Sequence, residues 1–307
     1  MRVSFLVTLF NKAAFLPHLL AGLAGQEGDF SRQFIFVDDG STDDTLERLR
    51  QLTAGWMDAV IVSQANAGPA RALNAGLALA DGDYVKPVDG DDQLFPWATR
   101  ALFTACAEFG VDYAYAPMDL QRHYNPAEPP VSPADPRSST SMEAAFLDRA
   151  LRRAVTNPSL WIAKADLLHR LGGSDPGVFI QDYSLELRLA ASGPAARVEG
   201  PVMAMPAEAA GRLSGDEAQT LHDVNLALLR FLRSHPELPA KQRRFGMRRA
   251  SGRAWRWVRR HGGGSLVPLW IAVFRAKFGA LPPSEAAEAL LCAPFKSGKN
   301  LRLCRDS

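Results

Sequence analysis

Cysteine is scarce in this chain of 307 residues: Cys106, Cys292 and Cys304 are an odd number and lie without metal-ligand spacing. This pattern excludes a disulfide framework and a cysteine-rich metal site, and it favours a reducing compartment. The opening residues, MRVSFLVTLFNK, lack the longer apolar core and small-residue cleavage site of a signal peptide. No apolar run reaches the roughly 18 residues of a membrane span. We therefore expect a cytoplasmic protein.

Motifs of several common enzyme classes are also missing. No G-x-G-x-x-G follows the first predicted strand and no G-x-x-x-x-G-K-[ST] occurs, which argues against a dinucleotide oxidoreductase and a P-loop enzyme. There is no G-x-S-x-G nucleophile elbow. A calcium-binding EF-hand that began at Asp89 would need Gly and Glu where Leu94 and Arg100 stand.

Acidic residues are absent from one strongly basic segment. Residues 241–261 contain nine Lys and Arg, whereas the rest of the chain has 26 basic and 33 acidic residues and a net charge of −7. The composition, 47% hydrophobic and 22% charged, is typical of a globular protein. A mildly acidic body thus carries one basic segment.

Short apolar runs alternate with helical patterns in the amino-terminal third of the chain. RVSFLVTLF, RQFIFVDDGS, DAVIVSQ and DYVKPVDGDD each read as a strand, and amphipathic segments separate them. This alternation predicts an α/β domain with a largely parallel sheet. Pro17 fits the first turn of the first helix, and Ser41 or Thr42 is predicted to cap the second. From about residue 214 the pattern is helical.

Two acidic clusters follow predicted strands. Asp38 and Asp39 come after one strand, and Asp89, Asp91 and Asp92 come after another. Ligands of parallel sheets bind beyond the carboxyl ends of the strands, so both clusters should share one edge. Close carboxylates repel unless a cation or donors lie among them, and oxygen ligands at this density favour Mg²⁺ or Mn²⁺. Turn chemistry alone is the alternative for the first pair.

The order of these motifs resembles family 2 glycosyltransferases. The similar stretches are VTLFNKAAFLPHLLAGLAGQ, FIFVDDGSTDDT, NAGPARALNAGLALADGDYVKPVDGDD and GGSDPGVFIQDYSLELRLAASG. The resemblance covers residues 1–213 and implies a GT-A fold, a Rossmann-like, mostly parallel central sheet flanked by helices. It implies a nucleotide-binding half over residues 1–95 and an acceptor half over 96–213. Residues 214–307 would form a helical extension.

The resemblance also assigns roles to individual residues. It implies nucleotide contacts for Thr8, Asp38, Asp39, Arg71 and Asp89. Asp89 and Asp91 form the D-x-D motif that would bind Mn²⁺ or Mg²⁺, and Asp182 would be the catalytic base.

One residue beside the predicted base departs from the family pattern. Gln181 stands where the family commonly has Glu. The change removes a negative charge that would raise the pKa of Asp182, and it leaves the acceptor contacts of this position open. An ordinary acid at a helix N-terminus is the alternative role for Asp182.

The resemblance implies an inverting transferase that moves a sugar from a nucleotide-sugar, in the first place a UDP-sugar, to a saccharide or lipid-linked acceptor. Cell-surface polysaccharide or lipopolysaccharide synthesis is the expected setting. Two alternatives stay open: a degenerate nucleotide-sugar-binding module without turnover, and a nucleotidyltransferase.

The basic segment predicts a second property. Residues 241–278 combine arginine clusters with Trp255, Trp257 and Trp270, which suits an anionic membrane surface at the cytoplasmic face. A solvated helix face is the alternative. Nucleic acid is not an expected partner, because nothing in the acidic body suggests a basic groove.

Overall fold

The amino-terminal strands are parallel, as their apolar runs predict. They are β1 (Arg2–Leu9), β2 (Ser31–Asp38), β3 (Ala59–Ser63) and β4 (Tyr84–Asp89), and they lie in the order β3-β2-β1-β4. β1 pairs with a parallel strand on each side and is buried along most of its length. Because all four strands run in one direction, their carboxyl ends meet at one edge.

The computed structural model describes residues 1–118, 121–130, 139–179, 182–207, 216–262, 264–296 and 301. Three helices connect the parallel strands: α1 (Leu16–Ala24), α2 (Thr45–Leu52) and α3 (Pro69–Leu77). Pro17 lies in the first turn of α1, as predicted. The predicted cap of α2 is wrong, because the helix begins only at Thr45 and no side chain caps it. Ser41 and Thr42 instead bond the chain after β1.

The large sheet continues beyond β4 with mixed strands. Its full order is β3-β2-β1-β4-β9-β6-β10-β8, where β6 is Tyr113–Tyr115, β8 Ser139–Glu143, β9 Trp161–Lys164 and β10 Ala195–Glu199. β9 runs antiparallel to both of its neighbours. A small second sheet joins β5 (Gln93–Leu94), β11 (Met203–Pro206) and β7 (Arg122–Tyr124). The predicted α/β fold is confirmed.

Helices and strands of this part share one large apolar core. Side chains of β1, β2 and α1 pack there with α4 (Ala98–Phe109), and many are fully buried. Two further short helices are α5 (Phe146–Ala150) and α6 (Ala165–Leu171). After α6, Gly172 and Gly173 both have a left-handed conformation, φ 71° and 69°. That conformation explains the glycine pair in HRLGG, because Gly adopts it without steric cost.

The chain divides into two compact units. The first holds Met1–Phe146, Val155–Ser174 and Leu189–Ala210; the second holds Leu147–Ala154, Asp175–Arg188 and Gly211–Ser307. The remaining helices are α7 (Asp182–Ser192), α8 (Glu217–Ser234), α9 (Ala240–His261), α10 (Leu266–Lys277) and α11 (Glu285–Lys296). The helical carboxyl-terminal region is thus confirmed for the described residues. Among them, no helix is both long and apolar enough to cross a membrane.

The cysteines that the structure describes form no disulfide. Cys106 and Cys292 are free and buried, and burial raises the pKa of each thiol to about 12. Such thiols are almost wholly protonated at neutral pH and are therefore poor nucleophiles. Cys304 lies outside the described residues.

Candidate functional site

The register of the parallel strands brings the predicted residues to one edge. Thr8 pairs with Val37 on one side and with Asp89 on the other, one residue before Leu9 pairs with Asp38. Asp38 and Asp89 therefore flank the end of β1, with partly buried Thr8 between their strands. This is the arrangement that the two acidic clusters predicted.

Asp38 is buried and only half satisfied. Its Oδ2 accepts hydrogen bonds from Ser63 Oγ at 3.2 Å and from the backbone N of Ser41 at 3.4 Å. Its Oδ1 is also buried and accepts no hydrogen bond from the residues that the structure describes. A buried acceptor without a donor is costly, so this atom fits a ligand that brings an N–H group.

Asp39 has a different environment from its neighbour. Its two carboxylate oxygens accept from Gln64 Nε2 at 2.7 Å, Ala67 N at 2.9 Å and Gly68 N at 2.9 Å. These bonds hold the loop that enters α3, where Gly68 has φ 90°. The carboxylate thus has a clear role in positioning this loop, and its contact with a nucleotide stays a prediction.

The turn after β1 is fastened to the turn after β2. Asn11 has a left-handed backbone, φ 53°, and its side-chain oxygen accepts from Thr42 N at 2.8 Å. The backbone N of Lys12 donates to Thr45 Oγ1 at 2.8 Å. These contacts fix the backbone of Lys12 beside the edge of the sheet.

Lys12 reaches the second acidic cluster. Its ammonium lies 2.6 Å from Asp91 Oδ2, and both side chains are partly buried. A Cβ atom at Gly90 would lie 2.9 Å from the backbone oxygen of Thr8, which cannot move aside as a side chain could, and 2.6 Å from Leu9 Cδ2. Only glycine leaves room for this close approach, which explains the residue between the two acids of the D-x-D motif.

Neighbouring groups hold the backbone of the D-x-D turn. Tyr124 donates from its hydroxyl to the carbonyl oxygen of Asp91 at 2.6 Å, and its ring stacks on His18 at 4.3 Å. The backbone N of Asp89 donates to Ser159 Oγ at 2.9 Å. Both ends of the motif are therefore fixed by groups distant in sequence.

A buried lysine lies below the same turn. Lys86 is fully buried in β4, and its ammonium donates to the carbonyl oxygens of Pro87 at 2.9 Å and Ser159 at 2.6 Å. Desolvation lowers its pKa to about 7, although the nearby charges of Asp92 and Asp89 oppose this shift. Lys86 thereby ties the strand that carries Asp89 to the segment around Ser159.

The donor set at this edge fits a divalent cation. Asp91 already holds one positive charge, the Lys12 ammonium, and Asp89 is partly exposed two residues away. Two carboxylates completed by phosphate oxygens and water are a usual magnesium arrangement. No group of three or more His, Cys, Asp or Glu side chains placed to hold a metal occurs in the described part of the chain.

Lys12 and a metal ion would compete for the same carboxylate. We expect Lys12→Met to tighten Mn²⁺ binding without nucleotide by about fivefold, the equivalent of a partly exposed ion pair. Free Mn²⁺ measured by electron paramagnetic resonance reports this affinity directly. Lys164→Met is the matched control, because Lys164 also lies 2.6 Å from an aspartate, Asp112, at another surface. Unchanged or weaker binding in Lys12→Met would contradict the competition.

The other predicted residues that the structure describes lie on helices. Arg71 is in the first turn of α3 and is partly buried. Asp182 is the first residue of α7 and belongs to the second unit. Although the residue is partly exposed, desolvation raises the pKa of its carboxyl to about 7, against a lowering by its own backbone N–H. Gln181 lies outside the described residues.

Two residues of the site have no role in the sequence interpretation. Lys12 follows the first strand, where the sequence has no glycine-rich phosphate-binding motif. Lys86 sits within an apolar strand, and a charged residue there is itself a signal, because lysine is almost never fully buried without a partner. Its position three residues before Asp89 could have pointed to the site.

The chain matches known proteins over its amino-terminal half. Residues 4–148 match the family model "Glycosyl transferase family 2". The chain is 30% identical to the uncharacterized glycosyltransferase YibD of Escherichia coli (strain K12) over 118 aligned residues. This alignment covers 38% of this chain and 34% of YibD. Matches span about a third of the length of the first curated relatives.

Solved structures share the fold over most of the chain. S. aureus TarS 1-349 in complex with UDP-GlcNAc superposes with a TM-score of 0.64 at 20% identity, covering 94% of this chain and 84% of that chain. The mannosyltransferase PcManGT from Pyrobaculum calidifontis, in complex with GDP-Man and Mn²⁺, gives 0.53 at 19% identity, covering 95% and 85%. Residues 4–148, just under half of the chain, thus match glycosyl transferase family 2, and the chain has the GT-A fold.

Proposed function

We propose that this chain is an inverting glycosyltransferase that moves a sugar from a nucleotide-sugar to a saccharide or lipid-linked acceptor. The observation that carries the proposal is the edge of the sheet. There the buried Oδ1 of Asp38 accepts no hydrogen bond from the described residues, and Asp91 pairs with the Lys12 ammonium beside Asp89. One side of this edge thus suits a nucleobase N–H group, and the other suits a metal-bound diphosphate.

The residues at this edge suggest how the donor nucleotide binds. Asp38 would accept a hydrogen bond from the base, Thr8 and Asp89 would lie near the ribose, and Arg71 near the phosphates. The TarS structure contains UDP-GlcNAc and the PcManGT structure contains GDP-Man, which supports a nucleotide-sugar donor, with a UDP-sugar as the first candidate.

Sugar transfer needs a cation that neutralises the leaving diphosphate and a base that takes the proton of the acceptor hydroxyl. Asp89 and Asp91 would hold a divalent cation, Mn²⁺ or Mg²⁺, which would neutralise the negative charge that develops on the diphosphate. Asp182 takes the proton of the acceptor hydroxyl as this oxygen attacks the anomeric carbon and the nucleoside diphosphate leaves from the opposite face. A single displacement inverts the anomeric configuration. A pKa of about 7 suits a base that works near neutral pH.

The proposal also covers domain roles and location. Residues 1–95 would bind the nucleotide, residues 96–213 would bind the acceptor, with Gln181 among its contacts, and residues 214–307 would form an extension. We place the enzyme in the cytoplasm at the inner face of the membrane, in cell-surface polysaccharide or lipopolysaccharide synthesis. The match to family members named as glycosyltransferases supports the reaction class.

A donor panel tests the reaction. The full chain with Mn²⁺ is given UDP-, GDP- and TDP-sugars, and release of nucleoside diphosphate is measured. Nuclear magnetic resonance of the product then gives the anomeric configuration. Nucleotide binding without turnover of any donor would favour the binding module, and synthesis of a nucleotide-sugar from a nucleoside triphosphate would favour a nucleotidyltransferase.

Asp38→Asn tests the proposed hydrogen bond between Asp38 and the nucleobase of the donor. We expect it to weaken UDP binding by about 10- to 100-fold, because a charge-assisted hydrogen bond to a buried acceptor is lost. Isothermal titration calorimetry measures the affinity. The adjacent variant Asp39→Asn is the control: it should lower the melting temperature more, since an amide nitrogen would face backbone donors of the loop before α3. An unchanged UDP affinity in Asp38→Asn would remove Asp38 from the site.

A further inference from the structure

An apolar face of α10 is exposed to solvent. Six large apolar side chains are each between 42% and 65% exposed: Leu266, Val267, Trp270, Ile271, Phe274 and Phe278. Their spacing places them on one stripe of the helix and its end, while Leu269, Ala272 and Ala276 on the other side are buried. Single exposed apolar residues are common, but a contiguous stripe of this kind marks an interaction surface.

The stripe is ordered by its own aromatic rings. Trp270 stacks on Phe274 with ring centroids 5.9 Å apart, and Phe274 contacts Phe278 at 4.9 Å. Lys277 lies over the Phe278 ring at 5.8 Å, so a positive charge borders the aromatic ridge. Arg275, also exposed, lies on the same helix. The surface is apolar along its length and basic at its margin.

The charge of the region selects the partner. Residues 241–284 contain eleven Lys and Arg and no Asp or Glu. Arg256, Arg259 and Arg260 are exposed near the end of α9 and line one shallow surface pocket. A second copy of this chain would bring the same positive charge, which opposes association, whereas an anionic bilayer offers both negative phosphates and an apolar layer.

The structure separates this stripe from the aromatic residues of α9. Trp257 is buried and contacts Phe295 at 5.5 Å, and Trp255 lies under the Arg259 guanidinium at 4.7 Å. Arg253 is buried as well and donates to Asn225 Oδ1 at 2.7 Å. Of the tryptophans that the sequence pointed to, Trp270 alone lies on the exposed apolar stripe.

We propose that α10 lies in the interface of an anionic bilayer. Its stripe, centred on Trp270 and Phe274, inserts at the boundary between headgroups and acyl chains, and Arg256, Arg259 and Arg260 bind lipid phosphates. This assigns the proposed membrane location to one face of one helix. Because it does not involve the donor site, it can fail or hold independently of the proposed reaction.

Vesicle binding tests the two contributions separately. The full chain is sedimented with vesicles of phosphatidylcholine alone and with added phosphatidylglycerol, at low and high salt. We expect binding to the anionic vesicles. Replacing Arg256, Arg259 and Arg260 together by Gln should weaken it by about 10²-fold, since each basic residue near such a surface contributes about fivefold. Trp270→Gln with Phe274→Gln should abolish the part that persists at high salt.

A matched control and a depth measurement complete the test. Leu52→Gln with Met57→Gln removes two exposed apolar side chains of the first unit and should leave binding unchanged. Lipids brominated on their acyl chains should quench tryptophan fluorescence of the full chain, and Trp270→Phe should remove most of the quenching. The proposal is overturned if the full chain ignores anionic vesicles at low salt, or if the stripe variants bind like the full chain. It is also overturned if the full chain forms a dimer in the absence of lipid and these variants are monomeric.

Discussion

Asp91→Asn is expected to lower Mn²⁺-dependent kcat/KM by at least about 10²-fold, the usual loss when a group that stabilises developing negative charge is removed. The substitution is nearly isosteric and the side chain is partly exposed, so the fold should persist. Asn keeps an oxygen ligand but lacks the charge that holds a divalent ion. Initial rates and Mn²⁺ affinity, measured on the same preparation, should fall together.

Two controls decide whether a lost metal ligand is the cause. Asp29→Asn removes an equally charged, exposed aspartate just before β2, at the opposite end of that strand from Asp38, and should not change the rate. The double variant Asp91→Asn with Lys12→Met tests whether the freed ammonium is the problem. If removing Lys12 restores the rate, the loss came from an unpaired lysine and not from the metal. Near-normal turnover of Asp91→Asn with an unchanged Mn²⁺ affinity would refute the assignment.

Much of the fold could be predicted because the signals were local. The runs that became β1, β2 and β4 are apolar over almost their whole length, as strands of a buried parallel sheet must be. The position of the site was predictable for the same reason, because the carboxyl ends of parallel strands meet at one edge of the sheet. Asp38 and Asp89 therefore had to lie on the two strands beside β1 once the order β3-β2-β1-β4 was adopted.

The contacts across the site could not be predicted, because they depend on distant segments. The ion pair of Lys12 and Asp91 joins residues 79 positions apart in the sequence. Ser41 and Thr42 looked like helix caps, but Ser41 Oγ accepts a hydrogen bond from the backbone N of Asn11, and Thr42 bonds the Asn11 side chain. Burial of Trp257 against Phe295 is equally non-local. Sequence patterns report which residues face a core, whereas such pairings are set by how the segments pack.

Asp182→Asn is expected to lower kcat by about 10²- to 10⁴-fold, the usual contribution of a general base, with donor affinity kept. In the unchanged chain kcat should rise with pH through about 7, because the base must be ionised and desolvation raises its pKa to that value. Steady-state rates over a pH series, together with UDP titration, measure both effects. Equal loss of rate and UDP affinity would contradict a role as the base.

Stability distinguishes the base from a helix-stabilising acid. The folded-state pKa of Asp182, about 7, lies above the ordinary value of 3.8, so the folded chain keeps a proton that the unfolded chain releases between these values. The contribution of this group to stability is therefore present at low pH and is lost as pH rises through about 7.

At pH 8 the ionised, desolvated carboxylate opposes folding, and Asp182→Asn should melt at the same temperature as the unchanged chain or higher. An acid kept for the helix dipole would give the reverse result, a lower melting temperature at pH 8. Asp166→Asn is the matched control, because Asp166 is an exposed acid in the first turn of α6 and should show that small loss without any loss of kcat.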